Sequence, residues 1–211
     1  MEIWQIIVLA LVGIMAGWLN VMAGGGSLLT VPIMLFMGIP APVANGTHRI
    51  AILAQNIHAV TTFRNRGFSD FQRSLSLMAS GHDKIKPVGG DAQPKNLLLG
   101  HVLMVGAGFW GGFIQIGVGF ILMPILHRVM GLDLVRVNMH KVFVVLVFTI
   151  VALAVFASQL ELLWWTGAAL AVGNSIGGWL GAHTTVRHGE TLIRRVLYVA
   201  LTAFIVKLLF F

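Results

Sequence analysis

The sequence predicts an all-α polytopic membrane protein made of two inverted repeats, each a glycine-broken helical hairpin plus spanning helices. Three observations carry this expectation. First, 57% of the 211 residues are hydrophobic and only 10% are charged, whereas soluble domains carry roughly 25% charge. Second, apolar stretches close to the length of a bilayer crossing, about 20 residues, recur along the chain. Third, one apolar segment broken by glycine is written twice. Residues 13–38 read GIMAGWLNVMAGGGSLLTVPIMLFMG, and residues 108–131 read GFWGGFIQIGVGFILMPILHRVMG. Glycine clusters are costly inside a helix. In lipid, non-helical backbone survives only where it is buried in protein or lines a polar cavity. A repeated Gly/Pro-interrupted pair is therefore a pointer to a secondary transporter and to its binding site.

The elements follow in order. Residues 3–23 form a first spanning stretch. No basic region precedes it and no small-residue cleavage site follows, so it reads as its own insertion signal. Gly24, Gly25 and Gly26 then break the chain before a short apolar piece, 27–37, containing Pro32. That piece is too short to cross and is expected to turn back. Residues 44–62 form the most polar candidate span, and 68–80 is too short to be one. A polar linker occupies 81–96, after which 97–116 is apolar again. Gly117 and Gly119 make the second break, followed by the short piece 120–130 with Pro124. Residues 142–157, 163–182 and 192–211 complete the set. The organisation expected is a shortened first repeat over 1–80, a cytoplasmic linker over 81–96 and a second repeat over 97–211.

Basic residues give the orientation. Arg64, Arg66 and Arg73 mark one cytoplasmic loop, and Lys84, Lys86 and Lys95 lie in the linker. Arg128, Arg136 and Lys141 form a third group, and Arg187, Arg194 and Arg195 a fourth. The loops 38–43 and 158–162 carry no Lys or Arg and should face outward. The segment between the basic linker and the third basic group must then cross an even number of times, as a hairpin does. Applied to both copies, this sends 44–62 inward and 142–157 outward. The two repeats are thereby expected to be inverted, with their broken hairpins meeting near the midplane.

The net charge of +7 comes from 14 Lys and Arg against 7 Asp and Glu. Because these cations sit in short loops between apolar stretches, the positive-inside rule accounts for them and no nucleic-acid partner is called for. The lipid bilayer and a small anionic substrate are the expected partners. Cysteine is absent, which excludes thiol catalysis, disulfides and cysteine metal sites. His48 and His58 stand ten apart, no H-x-x-x-H pair exists, and GGGS lacks the Lys-Ser/Thr of a phosphate loop. No enzyme activity, catalytic residue, metal or cofactor is expected.

Polar residues in apolar surroundings supply the candidate site. Asn45, Thr47, His48, Gln55, Asn56 and His58 all fall in one candidate span. Intramembrane polar groups face a cavity, the bundle interior or a partner, and residues three or four apart share a helix face. His48 and Gln55 thus define a seam, with Asn45 and Asn56 beside it. The seam either lines a substrate path or ties helices together. Asn138, His140 and Lys141 stand at the matching place in the second copy, Lys141 as either an anion partner or a positive-inside anchor. Each glycine break frees backbone N–H groups at the start of the next short helix, which favours an anion. Gly24, Gly25, Gly26 and Ser27 offer one such place; Gly117 and Gly119, with Gln115 alongside, offer the other. The pairs Gly13/Gly17 and Gly108/Gly112, and Gly173, Gly177 and Gly181, read instead as close helix packing. Trp4, Trp164, Trp165 and Trp179 read as an interface belt.

These residues resemble the TauE/SafE family of membrane permeases. The resemblance lies in a pattern G-x-x-x-G, GGG, P, G-I/L-P and A/V-N-x-T. Here it reads Gly13, Gly17, Gly24, Gly25, Gly26, Pro32, Gly38, Pro40 and then Ala44 through Thr47. The second copy reads Gly108, Gly112, Gly117, Gly119, Pro124, Gly131, Val137 and Asn138, and the tail from Gly173 to Leu201 is similar as well. The resemblance implies a permease of the bacterial inner membrane that exports sulfite or an organosulfonate by alternating access. The polar residues and glycine breaks together give the expected midplane site, lined by the two glycine turns with Asn45, Thr47, His48, Gln55, Gln115, Asn138 and His140. One departure stands out. The family's first half has a helix pair where this chain has GHDKIKPVGGDAQPKN. An anion channel, an uptake permease and a transport-inactive shortened member are the alternatives that follow. A second copy of the chain is a candidate cover for the flank left open.

Overall fold

The structure, a computed structural model, describes residues 3–68 and 97–210. Segment 69–80, the linker 81–96 and Arg73, Lys84, Lys86 and Lys95 lie outside the described residues. All regular structure among the described residues is helical. Helix α1 runs Ile3–Ala23, α2 Ser27–Phe36, α3 Ala41–Asn65 and α4 Leu97–Phe113. Helix α5 covers Val118–Pro124 and continues as a π-helical turn, Ile125–Val129. Helix α6 runs Leu134–Gln159 and α7 Trp164–Phe210.

Both breaks fall where glycine clusters interrupt the apolar pattern. Gly24 has φ 85° and Gly117 φ 72°, left-handed values that glycine adopts without a Cβ clash. Gln115, just ahead of the second break, has φ 60° and yet carries a side chain. The helices that follow are short. Ten residues make α2, or about 15 Å at 1.5 Å per residue, half the thickness of the hydrocarbon core. Prolines lie inside both, Pro32 in α2 and Pro124 at the end of α5. A proline has no N–H for the ladder, and in the second copy the chain passes directly from it into the wider π turn.

Among the described residues, two helices have the length and apolar composition of a membrane span, Trp4–Ala23 and Leu134–Gln159. Of the other four stretches expected from sequence, 44–62 lies in the polar α3, 97–116 mostly in the 17-residue α4, and 163–182 and 192–211 both fall largely within the single 47-residue helix α7. Helix α7 corrects the reading of 183–191 as a loop. The chain stays helical through Arg187 and breaks only at Gly189, whose φ and ψ are 65° and −158°. Helix α6 corrects the third basic group in the same way. Asp133 caps it, its Oδ1 accepting from the amides of Val135 at 3.1 Å and Arg136 at 3.0 Å. Arg136, Asn138, His140 and Lys141 are therefore in the first turns of a helix. Lys141 is 2% exposed, so it is no interfacial anchor.

Helix α7 packs most extensively on α1 and α3. The α1–α7 seam is glycine-made. A Cβ on Gly173 would lie 2.0 Å from the Ala10 carbonyl oxygen, and one on Gly177 would lie 2.2 Å from that of Ile14. From the other side, a Cβ on Gly17 would lie 2.6 Å from the Asn174 carbonyl oxygen. Small residues here let two backbones approach. Gly108 and Gly112 of α4 behave differently, with nothing within 4 Å of a built Cβ. Expected from sequence as a packing pair, they have no close backbone on their Cα face among the described residues. The main apolar core lies around α5 and α6, where Leu122, Met123, Leu126 and Val137 meet Met22 of α1 and Ile52 of α3.

Candidate functional site

The two breaks touch. A Cβ built on Gly24 would lie 2.4 Å from the Gly119 Cα, and one on Gly119 would lie 2.2 Å from the Gly24 Cα. Only glycines fit at this crossing. Beside it, the Gly117 amide donates to Ser27 Oγ at 3.2 Å, so the start of α5 is tied to the start of α2. The Val118 amide turns back onto the Gln115 carbonyl. Two of the N–H groups at the second break are thus already engaged.

A small cavity lies next to this crossing. Its lining includes Asn20, Ser27, Gln55, Asn56, Gln115 and Lys141, with Gly119 and the apolar side chains of Ile52, Val118, Val142 and Val145. It has room for about one water molecule. The polar side chains come from α1, α2, α3, the second break and α6. Gln55 ties α3 to α1 and α7. Gln55 Oε1 accepts from Asn20 Nδ2 and from Asn174 Nδ2, both at 3.3 Å, and Gln55 Nε2 donates to Asn56 Oδ1 at 3.4 Å. Gln115 Nε2 donates to Thr149 Oγ1 at 3.3 Å. Asn56 Nδ2 and Gln115 Oε1 are buried with no hydrogen-bond partner. A buried unpaired polar atom costs about 1–3 kcal/mol. Two of them at one cavity, a donor and an acceptor, mark a place built to hold something polar.

Two buried cations stand over the ends of the broken helices. Lys141 Nζ donates to the carbonyls of Asn20 at 3.1 Å and Val21 at 2.7 Å, and to Asn138 Oδ1 at 2.8 Å. Arg49 donates to the carbonyls of Gly111 at 3.3 Å, Gly112 at 2.8 Å and Phe113 at 3.2 Å. Its guanidinium also lies over the Phe156 ring, 4.5 Å from the centroid. Terminal carbonyls of a helix lack intrahelical partners and carry the negative end of its dipole, so each cation satisfies both needs. Helix α3 thereby caps α4, and α6 caps α1.

Of the residues expected at the site, Ser27, Gln55, Gln115 and Gly119 line the cavity, and Gly24 abuts it through Gly119. Gly25 packs against the Phe120 ring and Gly26 against the Ala16 carbonyl. Gly117 lies next to Ser27 through its amide. The others have different surroundings. His48 Nδ1 is 3.1 Å from Thr30 Oγ1, joining α3 to α2. Asn45 Nδ2 donates to the Phe113 carbonyl at 2.8 Å, and Thr47 Oγ1 accepts from the Leu163 amide at 3.1 Å. Asn138 holds Lys141, and His140 is buried without lining the cavity. Sequence reasoning does not single out Asn20 or Asn174. Each lies in a stretch otherwise dominated by apolar residues and glycine, and a lone intramembrane asparagine is the signal that could have found them.

Broken helices closing around a buried polar cavity are the architecture of a membrane transporter. The comparisons agree and narrow the class. The sequence profile described as "Sulfite exporter TauE/SafE" matches residues 9–82 and 82–208. The chain belongs to this family. It is similar to the "Probable membrane transporter protein" of Haemophilus influenzae, 25% identical, with 89% of this chain and 88% of the relative covered. It is similar to the "Probable membrane transporter protein ORF9" of a Sinorhizobium species, 23% identical, with 92% and 88% covered. The "Probable membrane transporter protein YfcA" of Escherichia coli K12 is also 23% identical, with 96% and 89% covered. These names indicate transport rather than catalysis. No solved structure matches the chain significantly.

The alignments also measure a shortfall. The Haemophilus alignment runs over 223 positions, but 89% of 211 residues fills only about 188 of them. About 35 positions therefore face a gap in this chain. The Escherichia alignment gives nearly the same figure, with 239 positions against about 203 filled. Some 35 residues equal two membrane helices at the short end of the usual range of about 17–25. The two stretches of the family match meet at residue 82, in the polar linker.

Proposed function

We propose that this chain is a multi-pass permease of the bacterial inner membrane that exports a small anion, sulfite or an organosulfonate, by alternating access. The carrying observation is the cavity at the crossing of the two glycine breaks, with Lys141 and the unpaired Asn56 Nδ2 on its wall. A donor-bearing, singly cationic pocket suits an oxyanion. The cavity holds about one water molecule as it stands. Sulfite needs more room, so binding requires the two breaks to part, which is the motion alternating access uses.

The proposed repeats are inverted and span 1–80 and 97–211, joined by a cytoplasmic linker. A register of 92 residues supports two related halves: Pro32 and Pro124, His48 and His140, and Arg49 and Lys141 all stand 92 apart. The reciprocal capping of α1 and α4 supports it again. In this reading the site takes in Gly24, Ser27, Gln55, Gln115 and Gly119 from the sequence-derived set, joined by Asn20, Asn56 and Lys141. His48, Asn45, Thr47, Asn138 and His140 support it from behind.

One observation favours a second reading, a shortened member that does not transport. The chain lacks about 35 aligned positions, and Gly106, Gly108 and Gly112 of α4 face open space. Sulfite efflux from proteoliposomes separates the two. Saturable efflux that collapses with the proton gradient supports the exporter. Flux equal to that of empty vesicles, from protein shown to be inserted and folded, supports the shortened, inactive member.

A further inference from the structure

The two capping cations are equivalent by register but not by surroundings. Arg49 gives two guanidinium nitrogens to three successive carbonyls of α4 and stacks on Phe156, and it does not line the cavity. A planar fork held on several partners is a fixed clamp. Lys141 is a point charge on a flexible stem, and it lines the cavity. An ammonium has three donors, and all three are spent on Asn20 O, Val21 O and Asn138 Oδ1. No donor remains for an anion in the cavity unless one of these bonds is given up. Asn138 lies on the same helix as Lys141, one turn away, and moves with it. The bonds that can be exchanged are those to the end of α1.

We propose that Lys141 is an anion-binding residue that an entering oxyanion takes from the last turn of α1, so that binding releases α1 while Arg49 keeps α4 clamped. This deepens the anion-permease reading and rests on it. The oxyanion and the α1 carbonyls compete for the same ammonium. Occupancy of the cavity then loosens the Asn20–Val21 end, which leads directly into the break at Gly24. The end of α4 stays clamped, because Arg49 holds its carbonyls and does not line the cavity. The release is thus one-sided, and it makes the movement of the first break conditional on the anion.

The test uses the full chain in detergent and in proteoliposomes, with sulfite and ethanesulfonate as probes. Variants are Lys141→Gln and Arg49→Gln, with Lys141→Arg and Arg49→Lys where the glutamine forms fail to fold. Two readouts are taken: the half-saturating anion concentration for thermal stabilisation, and amide hydrogen exchange at residues 19–26 and 111–118. Without anion, Lys141→Gln speeds exchange at 19–26 and Arg49→Gln at 111–118. With anion, wild-type exchange rises at 19–26 only. The half-saturating concentration rises about tenfold or more in Lys141→Gln, as loss of one charge-assisted bond implies, and stays near wild type in Arg49→Gln. In the conservative pair, Lys141→Arg changes half-saturation and Arg49→Lys does not. Wild-type half-saturation in the Lys141 variants, or an equal loss in the Arg49 variants, overturns the assignment and leaves the permease reading standing. A wild type that responds to neither anion overturns the anion reading itself, and the role of Lys141 with it.

Discussion

Gly24 and Gly119 stand backbone against backbone, 95 residues apart in sequence, at the point where the two broken helices cross. A methyl group on either would overlap the other's Cα, at 2.4 Å and 2.2 Å. Gly24 also has φ 85°, where an L-residue is strained by roughly 1–2 kcal/mol. Gly24→Ala and Gly119→Ala are therefore both expected to lower the melting temperature. Overpacking of this kind costs about 1–3 kcal/mol, and Gly24→Ala is the worse of the two. Thermal unfolding in detergent checks this. A Gly24→Ala protein as stable as wild type would show that the breaks do not touch.

Gln115 carries a side chain at φ 60°, where glycine is at ease. Gln115→Gly removes that strain and also removes the unpaired Oε1 from the cavity wall. Stability is expected to hold within about 1 kcal/mol while anion flux falls. A parallel fall in both would mean that the side chain serves the fold rather than the cavity.

The glycines of α1's partner helix and of α4 should respond in opposite ways. Gly177→Ala drives a Cβ to 2.2 Å from the Ile14 carbonyl oxygen and is expected to disrupt the α1–α7 seam. Gly108→Ala meets nothing within 4 Å and gains helix propensity of up to about 1 kcal/mol. Melting temperatures of the two variants decide the matter. A destabilised Gly108→Ala would reveal a partner for α4, a second copy of the chain included.

Asp133 caps α6 through two amides. Asp133→Ala is expected to cost about 1 kcal/mol and to fray the turn that carries Arg136. Lys141, further into the helix, should keep its bonds to Asn20 and Val21. Hydrogen exchange confined to 134–137 checks this, and exchange spreading to 141 contradicts it.

Much of the fold is legible in the chain because lipid leaves few options for backbone. Gly24 to Gly26, and Gly117 with Gly119, interrupt apolar runs, and both breaks fall where these glycines predict them, whereas Gly111–Gly112 and Gly177–Gly178 stay helical. The bounds of α1, Ile3–Ala23, follow directly from its apolar run. The start of α6 is obscured because its first turns carry charge. Asp133 is a helix start signal, but the polar and basic residues behind it resemble a loop. The site is legible in part for a different reason. Helix α3 carries polar residues on several faces, with the buried set running from Thr47 to Thr62. Spacing alone groups His48 with Gln55, whereas packing turns His48 to Thr30 and Gln55 to Asn20. The role of Lys141 depends on α1 ending beside it, a contact 120 residues away in sequence that no local pattern encodes.

The cavity between the breaks is proposed to lie on a path open alternately to the two sides of the membrane. The absence of cysteine allows a direct measurement with Asn56→Cys as the sole thiol. Membrane-impermeant thiosulfonate is added to one face or the other of oriented vesicles, with and without ethanesulfonate. The account predicts that the introduced thiol is modified from either face and that ethanesulfonate slows both reactions. A thiol inert from both faces, or open to one face and indifferent to the anion, would contradict it.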